Sequence, residues 1–167
     1  MQMKPFYVYF LCVIIFTSCN QQTPTKSQDK EQTHLEHPNL ILTKDGVNKI
    51  KSNLENAPLF TQTLEATKIE VDAEMANGII VPLPKDMAGG FTHTQHKINY
   101  ATMQKAGVLF QITGEEKYAV YIKDMLMAYA KIFPTFKKHP VERSYARGKF
   151  FWQCLNDSNW LVYTSQA

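Results

Sequence analysis

The chain opens on one dense apolar run, passes through a polar stretch and then settles into a long region of helical period. Phe6 to Phe16 are 11 consecutive apolar or aromatic residues, with Lys4 in front and Thr17-Ser18-Cys19 behind. Such a run is too short to cross a bilayer as a stable helix, which takes about 20 residues. Its cationic front and small-residue end are those of a secretory signal over residues 1–19. Residues 20–37 contain a single aliphatic residue, Leu35. They cannot bury enough apolar surface to offset their ordering entropy, and read as a flexible linker.

The folded part is expected at 38–167, a span of 130 residues. Thr43 is a candidate N-cap, and Val47, Ile50 and Leu54 follow at helical spacing. Pro58 suits the first turn of a second helix, which runs through Leu64 and Val71 to about Met75 and ends at Asn77-Gly78. Two prolines, Pro82 and Pro84, keep the next stretch extended or looped. Helical period returns from Gln95, with Ile98, Ala101, Val108, Leu109 and Ile112 on one side, and stops at Thr113-Gly114. Glu115-Glu116 place negative charge in the first turn of the next helix, as its dipole favours. Tyr118, Ile122, Met125, Tyr129 and Ile132 mark that helix's buried face as far as Phe133-Pro134. A basic, proline-containing loop leads to a last apolar helix expected from about Lys149. No strand alternation of any length occurs, so the expected class is all-α, built from antiparallel helix pairs.

Composition narrows this little. With 44% hydrophobic and 20% charged residues the chain is an ordinary globular protein, which excludes collagen-like and disulfide-framework classes. A net charge of +3 is too mild to argue for nucleic acid. The cysteines add more. Cys12 leaves with the signal, and Cys19 directly after Thr-Ser resembles the lipidated Cys of a bacterial lipobox, although Phe16 stands where Leu is usual. Several acyl chains on one Cys give firm membrane anchoring; the other reading is a soluble secreted protein. Cys154 then remains alone, without an internal disulfide, and its apolar surroundings predict a packed thiol. The chain stops within an apolar periodic run at Ala167, with no capping Gly or Pro. That ending suits the first part of a longer protein, or a helix that frays.

Three groups of residues carry candidate chemistry. Gln153, Asn156 and Trp160 fall near one face at helical spacing, where two amides and an indole suit sugar hydroxyls and a sugar ring. The same spacing fits amides that cap loops beside core tryptophans. Lys137, Lys138, His139, Arg143, Arg147 and Lys149, opposed by Glu142 and interleaved with Tyr145, form a basic loop that would attract polyanions, or a solvated loop. His93 and His96 with Asp86 have a metal-like spacing but no third ligand at a recognisable distance, so no metal is expected. Gly89-Gly90 is not a phosphate loop, because no Gly-Lys-Ser/Thr follows, and no cofactor is expected.

Three stretches together resemble the oligoalginate lyases, within the heparinase II/III-type polysaccharide lyases. They are His37-Pro-Asn-Leu-Ile-Leu-Thr43, Pro84-Lys-Asp-Met-Ala-Gly-Gly-Phe-Thr-His93-Thr-Gln-His96 and Gly148-Lys-Phe-Phe-Trp-Gln153-Cys-Leu-Asn156-Asp157-Ser-Asn-Trp160-Leu. The resemblance covers about 37–167 and implies the first part of an (α/α) toroid followed, in a longer chain, by β-sandwich domains. It implies β-elimination on a uronic-acid polysaccharide such as alginate. That chemistry needs a base for the proton beside the carboxylate, donors that neutralise the carboxylate, and an acid for the leaving oxygen. The family's catalytic Asn-His pair and Tyr lie downstream of the matched region, and no Asn-His dipeptide occurs in these 167 residues. The fragment by itself is therefore expected to be inactive, with no catalytic residue of its own. The resemblance places a substrate-contacting Gln at Gln153, and makes His93 or His96 candidate substrate contacts. An apolar patch is expected around Phe150, Trp152, Trp160 and Val162. The alternative is a helical glycan-binding surface lipoprotein without chemistry.

Overall fold

The computed structural model describes residues 39–83, 90–139 and 147–167. The expected signal with Cys19, the linker, and Asp86, Glu142, Arg143 and Tyr145 lie outside the described residues. Among the described residues there are five α-helices: α1 (Lys44–Asn53), α2 (Pro58–Ala76), α3 (Gly90–Thr113), α4 (Glu116–Ile132) and α5 (Cys154–Ser165). A 3₁₀ turn, Phe133–Thr135, extends α4. The all-α class expected from the sequence is the class found.

Local signals set the element ends. The Thr43 hydroxyl accepts from the Gly46 N–H at 3.1 Å and caps α1, satisfying one of the amides that a helix start leaves without an intrahelical partner. Pro58 stands in the first turn of α2, where its missing N–H costs nothing. Between α3 and α4 the chain reverses at Gly114, whose φ of +74° only glycine adopts without strain.

α3 is the centre of the fold and packs against all four other helices. Its buried face differs from the one expected. Ile98, Ala101, Val108 and Ile112 are only half-buried, while Thr92, His96, Asn99, Thr102, Met103, Ala106 and Leu109 face the interior. Polar residues are tolerated there where their hydrogen bonds are made inside the fold, and both His96 and Asn99 meet Tyr129 of α4. Around them the core gathers Val71, Tyr118, Tyr121, Ile122, Met125 and Tyr129 with Phe136, Phe150 and Phe151. At the surface, Lys117 bonds Asp72 at 2.8 Å and Lys68 bonds Glu115 at 3.1 Å, and Lys105 pairs with Glu70. Each exposed pair is worth under about 1 kcal/mol, so packing on α3 dominates.

Two element starts correct the sequence reading. α3 begins at Gly90, five positions before Gln95, and α5 begins at Cys154 rather than near Lys149. The second shift has a clear cause. The Asp157 carboxylate takes the backbone N–H groups of Lys149, Phe150 and Phe151. Those residues therefore form bends ahead of the helix, and Phe150 and Phe151 turn into the core.

Candidate functional site

The bends before α5 form a loop, 147–153, that carries much of the candidate chemistry. Asp157, in the first turn of α5, bonds the Lys149 N–H at 2.6 Å through Oδ2, and the Phe150 and Phe151 N–H groups at 3.3 and 3.0 Å through Oδ1. Burial pushes the Asp157 carboxyl up, against the lowering effect of these three amides and of His139. Gly148 has no room for a side chain, since a Cβ there would lie 2.5 Å from Asp157 Oδ1. At the far side the His139 N–H donates to the Gly148 carbonyl at 2.8 Å, and Arg147 Nη1 donates to the His139 carbonyl at 3.2 Å. The loop is pinned from both sides.

This pinning sets where the side chains go. Gln153 is exposed at the N-cap of α5, in extended backbone and without a capping bond. Trp152 beside it is exposed, and its ring lies 6.4 Å from that of half-buried His93. His93 also packs on Phe151 and on buried His139, each at 5.1 Å. Arg147, through His139, belongs to this group. Lys149 does not: its ammonium sits 4.2 Å over the Phe133 ring. There it borders an apolar hollow of about 290 Å³ lined by Leu126, Tyr129, Phe133, Pro134, Phe150 and Trp160.

Trp160 is half-buried, with its ring 4.7 Å from Tyr129 and 4.8 Å from Phe150. Asn156 is half-buried in the first turn of α5. The expected common face of Gln153, Asn156 and Trp160 thus runs from an exposed amide to a ring in the aromatic core. His96 lies wholly in the interior, its Nδ1 2.9 Å from the Tyr129 hydroxyl. Burial, with a smaller push from His93, lowers the His96 imidazole to about 4. Burial raises the Tyr129 phenol to about 12, against the lowering effect of Asn99 and of the nearby Trp160 N–H, which stops short of hydrogen-bond geometry. Among the described residues no three His, Cys, Asp or Glu side chains converge as metal ligands.

Two expectations are corrected here. Cys154 is an exposed thiol rather than a packed one, because Phe150 and Phe151 take the inward positions and α5 starts after them. Phe150 is buried and drops out of the expected apolar patch; the exposed apolar residues of α5 are Leu155, Leu161, Val162 and Tyr163. Two participants went unnoticed in the sequence. Within a helix expected from about Lys149, Asp157 reads as an ordinary mid-helix carboxylate, and the short Gly148–Asp157 spacing is the signal that could have revealed it. Asn99 shows nothing in the sequence that separates it from a surface amide.

No protein-family model matches the chain. It is 47% identical over 131 residues, 78% of its length, to an exo-oligoalginate lyase of Saccharophagus degradans, covering 18% of that protein. It is also 34% identical over its whole length to an alginate lyase of Stenotrophomonas maltophilia, covering 22% of it. The chain thus spans about a fifth of the length of these curated relatives. In sequence it is a partial match to the oligoalginate lyase family.

Proposed function

We propose that the chain is a portion of an exported, lipid-anchored polysaccharide lyase that cleaves an alginate-like polyuronate by β-elimination. In this reading its five helices are the first part of an (α/α) toroid, and its share of the work is to hold substrate. The supporting observation is the pinned loop 147–153, which presents exposed Gln153 and Trp152 beside His93 and the Arg147 anchor. It does so in a chain closely similar to an exo-oligoalginate lyase. An amide donor and an aromatic face suit sugar hydroxyls and a pyranose ring, and a guanidinium suits the uronate carboxylate. Asn156 borders the same loop, while Lys149 adds positive charge on its other side. His96 and Trp160 support the site from within. Proton transfer falls to an Asn-His pair and a Tyr outside these 167 residues, so the chain alone turns over no alginate.

Titration of the purified chain with short oligomannuronates and oligoguluronates tests the binding role. Weak binding that declines as salt rises is expected, together with a several-fold loss in Gln153→Ala. Equal affinity for neutral oligosaccharides at low salt would overturn it. Release of unsaturated uronate, followed by absorbance, should stay at background. Cell fractionation of Cys19→Ser, expected to leave the membrane, tests the anchor.

A further inference from the structure

The geometry points to Asp157 as a positioning residue, whose carboxylate fixes the backbone of loop 147–153 in the conformation that binds a uronate chain. The inference rests on the binding role proposed for that loop. Asp157 bonds none of the side chains proposed to meet sugar. It acts through three consecutive amides, those of Lys149, Phe150 and Phe151, at 2.6, 3.3 and 3.0 Å. Two oxygens divide the work, Oδ2 for Lys149 and Oδ1 chiefly for Phe150 and Phe151. A neutral amide offers one acceptor oxygen, so it can serve one side of this arrangement and not both.

The rest of the loop fits the same purpose. Gly148 leaves the carboxylate its space, since any Cβ would lie within 2.7 Å of all three carboxyl atoms. Phe150 and Phe151, immediately behind the bonded amides, are buried, so the held backbone cannot shift without moving core rings. Trp152 and Gln153, the next two residues, are exposed. Their placement is inherited from the three residues before them. Preorganisation of this kind raises affinity by removing the cost of ordering the loop when ligand arrives. A carboxylate in a first helical turn also gains from the helix dipole, but that gain needs neither the three amides nor the missing side chain at Gly148.

The test compares wild type, Asp157→Asn and Gly148→Ala, with Ser158→Ala as a neighbouring control. Short oligomannuronate is titrated into each, and amide hydrogen exchange is followed at Lys149, Phe150 and Phe151. Asp157→Asn is expected to weaken binding about tenfold and to speed exchange at those amides, with exchange in α3 unchanged. Gly148→Ala, which displaces the same carboxylate, should reproduce both effects, and Ser158→Ala neither. Wild-type affinity in a folded Asp157→Asn protein would overturn the inference while leaving the binding role intact. Absence of binding by wild type would instead sink the binding role, and the inference with it.

Discussion

The Tyr129 hydroxyl lies 2.9 Å from His96 Nδ1 and 2.8 Å from Asn99 Nδ2, so one phenol on α4 satisfies two polar side chains buried on α3. Asn99 Nδ2 also donates to the Ile80 carbonyl at 2.8 Å, and its Oδ1 accepts from Gln95 at 3.0 Å. The central helix is therefore tied to its neighbour through a polar knot within an aromatic core.

Removing the hydroxyl leaves two buried groups short of a partner. Tyr129→Phe is expected to cost about 1–3 kcal/mol, the range for an unsatisfied buried polar group, although the ring and its packing remain. Urea unfolding measures this directly, and an unchanged midpoint would show that the knot contributes nothing to stability.

His96 gives stability a definite pH dependence. Its folded value of about 4 lies below the ordinary 6.5, so between these limits the unfolded chain binds the extra proton. The contribution is fully present above pH 6.5 and is lost as pH falls towards 4. It amounts to on the order of 3 kcal/mol for a drop of that size. Unfolding free energies at pH 7 and pH 4.5 should differ more for wild type than for His96→Gln, and equal pH dependence in the two proteins would refute this account.

Gly114 turns α3 into α4 at a φ of +74°, and a Cβ there would meet nothing within 4 Å. Gly114→Ala therefore isolates backbone strain from steric clash. A loss of about 1–2 kcal/mol is expected from the left-handed conformation alone, read from the shift in thermal midpoint. A wild-type midpoint would contradict the turn geometry.

Cys154 is exposed in the first turn of α5. In a chain with Cys12 and Cys19 replaced by Ser, a thiol reagent should modify it in the native protein at a rate close to that seen in urea. Strong native-state protection would show that the thiol is packed after all.

What the sequence made legible was governed by local rules. Thr43, Pro58, Gly114 and Glu116 mark helix ends through capping, fixed φ, positive φ and the dipole, and each acts where the sequence places it. The apolar face of α4 was equally readable, because Tyr118, Ile122, Met125 and Tyr129 are buried as their spacing requires. The face of α3 was not. Its interior holds His96 and Asn99 in place of Ile98 and Ala101, a choice decided by a hydroxyl about 30 residues away. The start of α5 was hidden for the same reason, since the Asp157 carboxylate reaches back to amides six to eight residues earlier. Of the candidate site, helical spacing and the family resemblance single out Gln153, and the device that holds its loop lies in a residue whose local reading is unremarkable.

The layout of contacts around α3 has a consequence for how the fold comes apart. Among the described residues α3 is one of the two partners in every extensive contact between α-helices, so the arrangement is a star and not a closed ring. Outside that centre the satellites touch through side chains, as Lys117 of α4 meets Asp72 of α2 and Tyr129 of α4 meets Trp160 of α5. Substitutions on α1 and on α5 should therefore add nearly independently, as distant sites without shared partners do. Opening α1 alone leaves three spokes in place, whereas opening α3 releases all four at once. The free energy of that event is the global one, and the slowest-exchanging amides belong to α3.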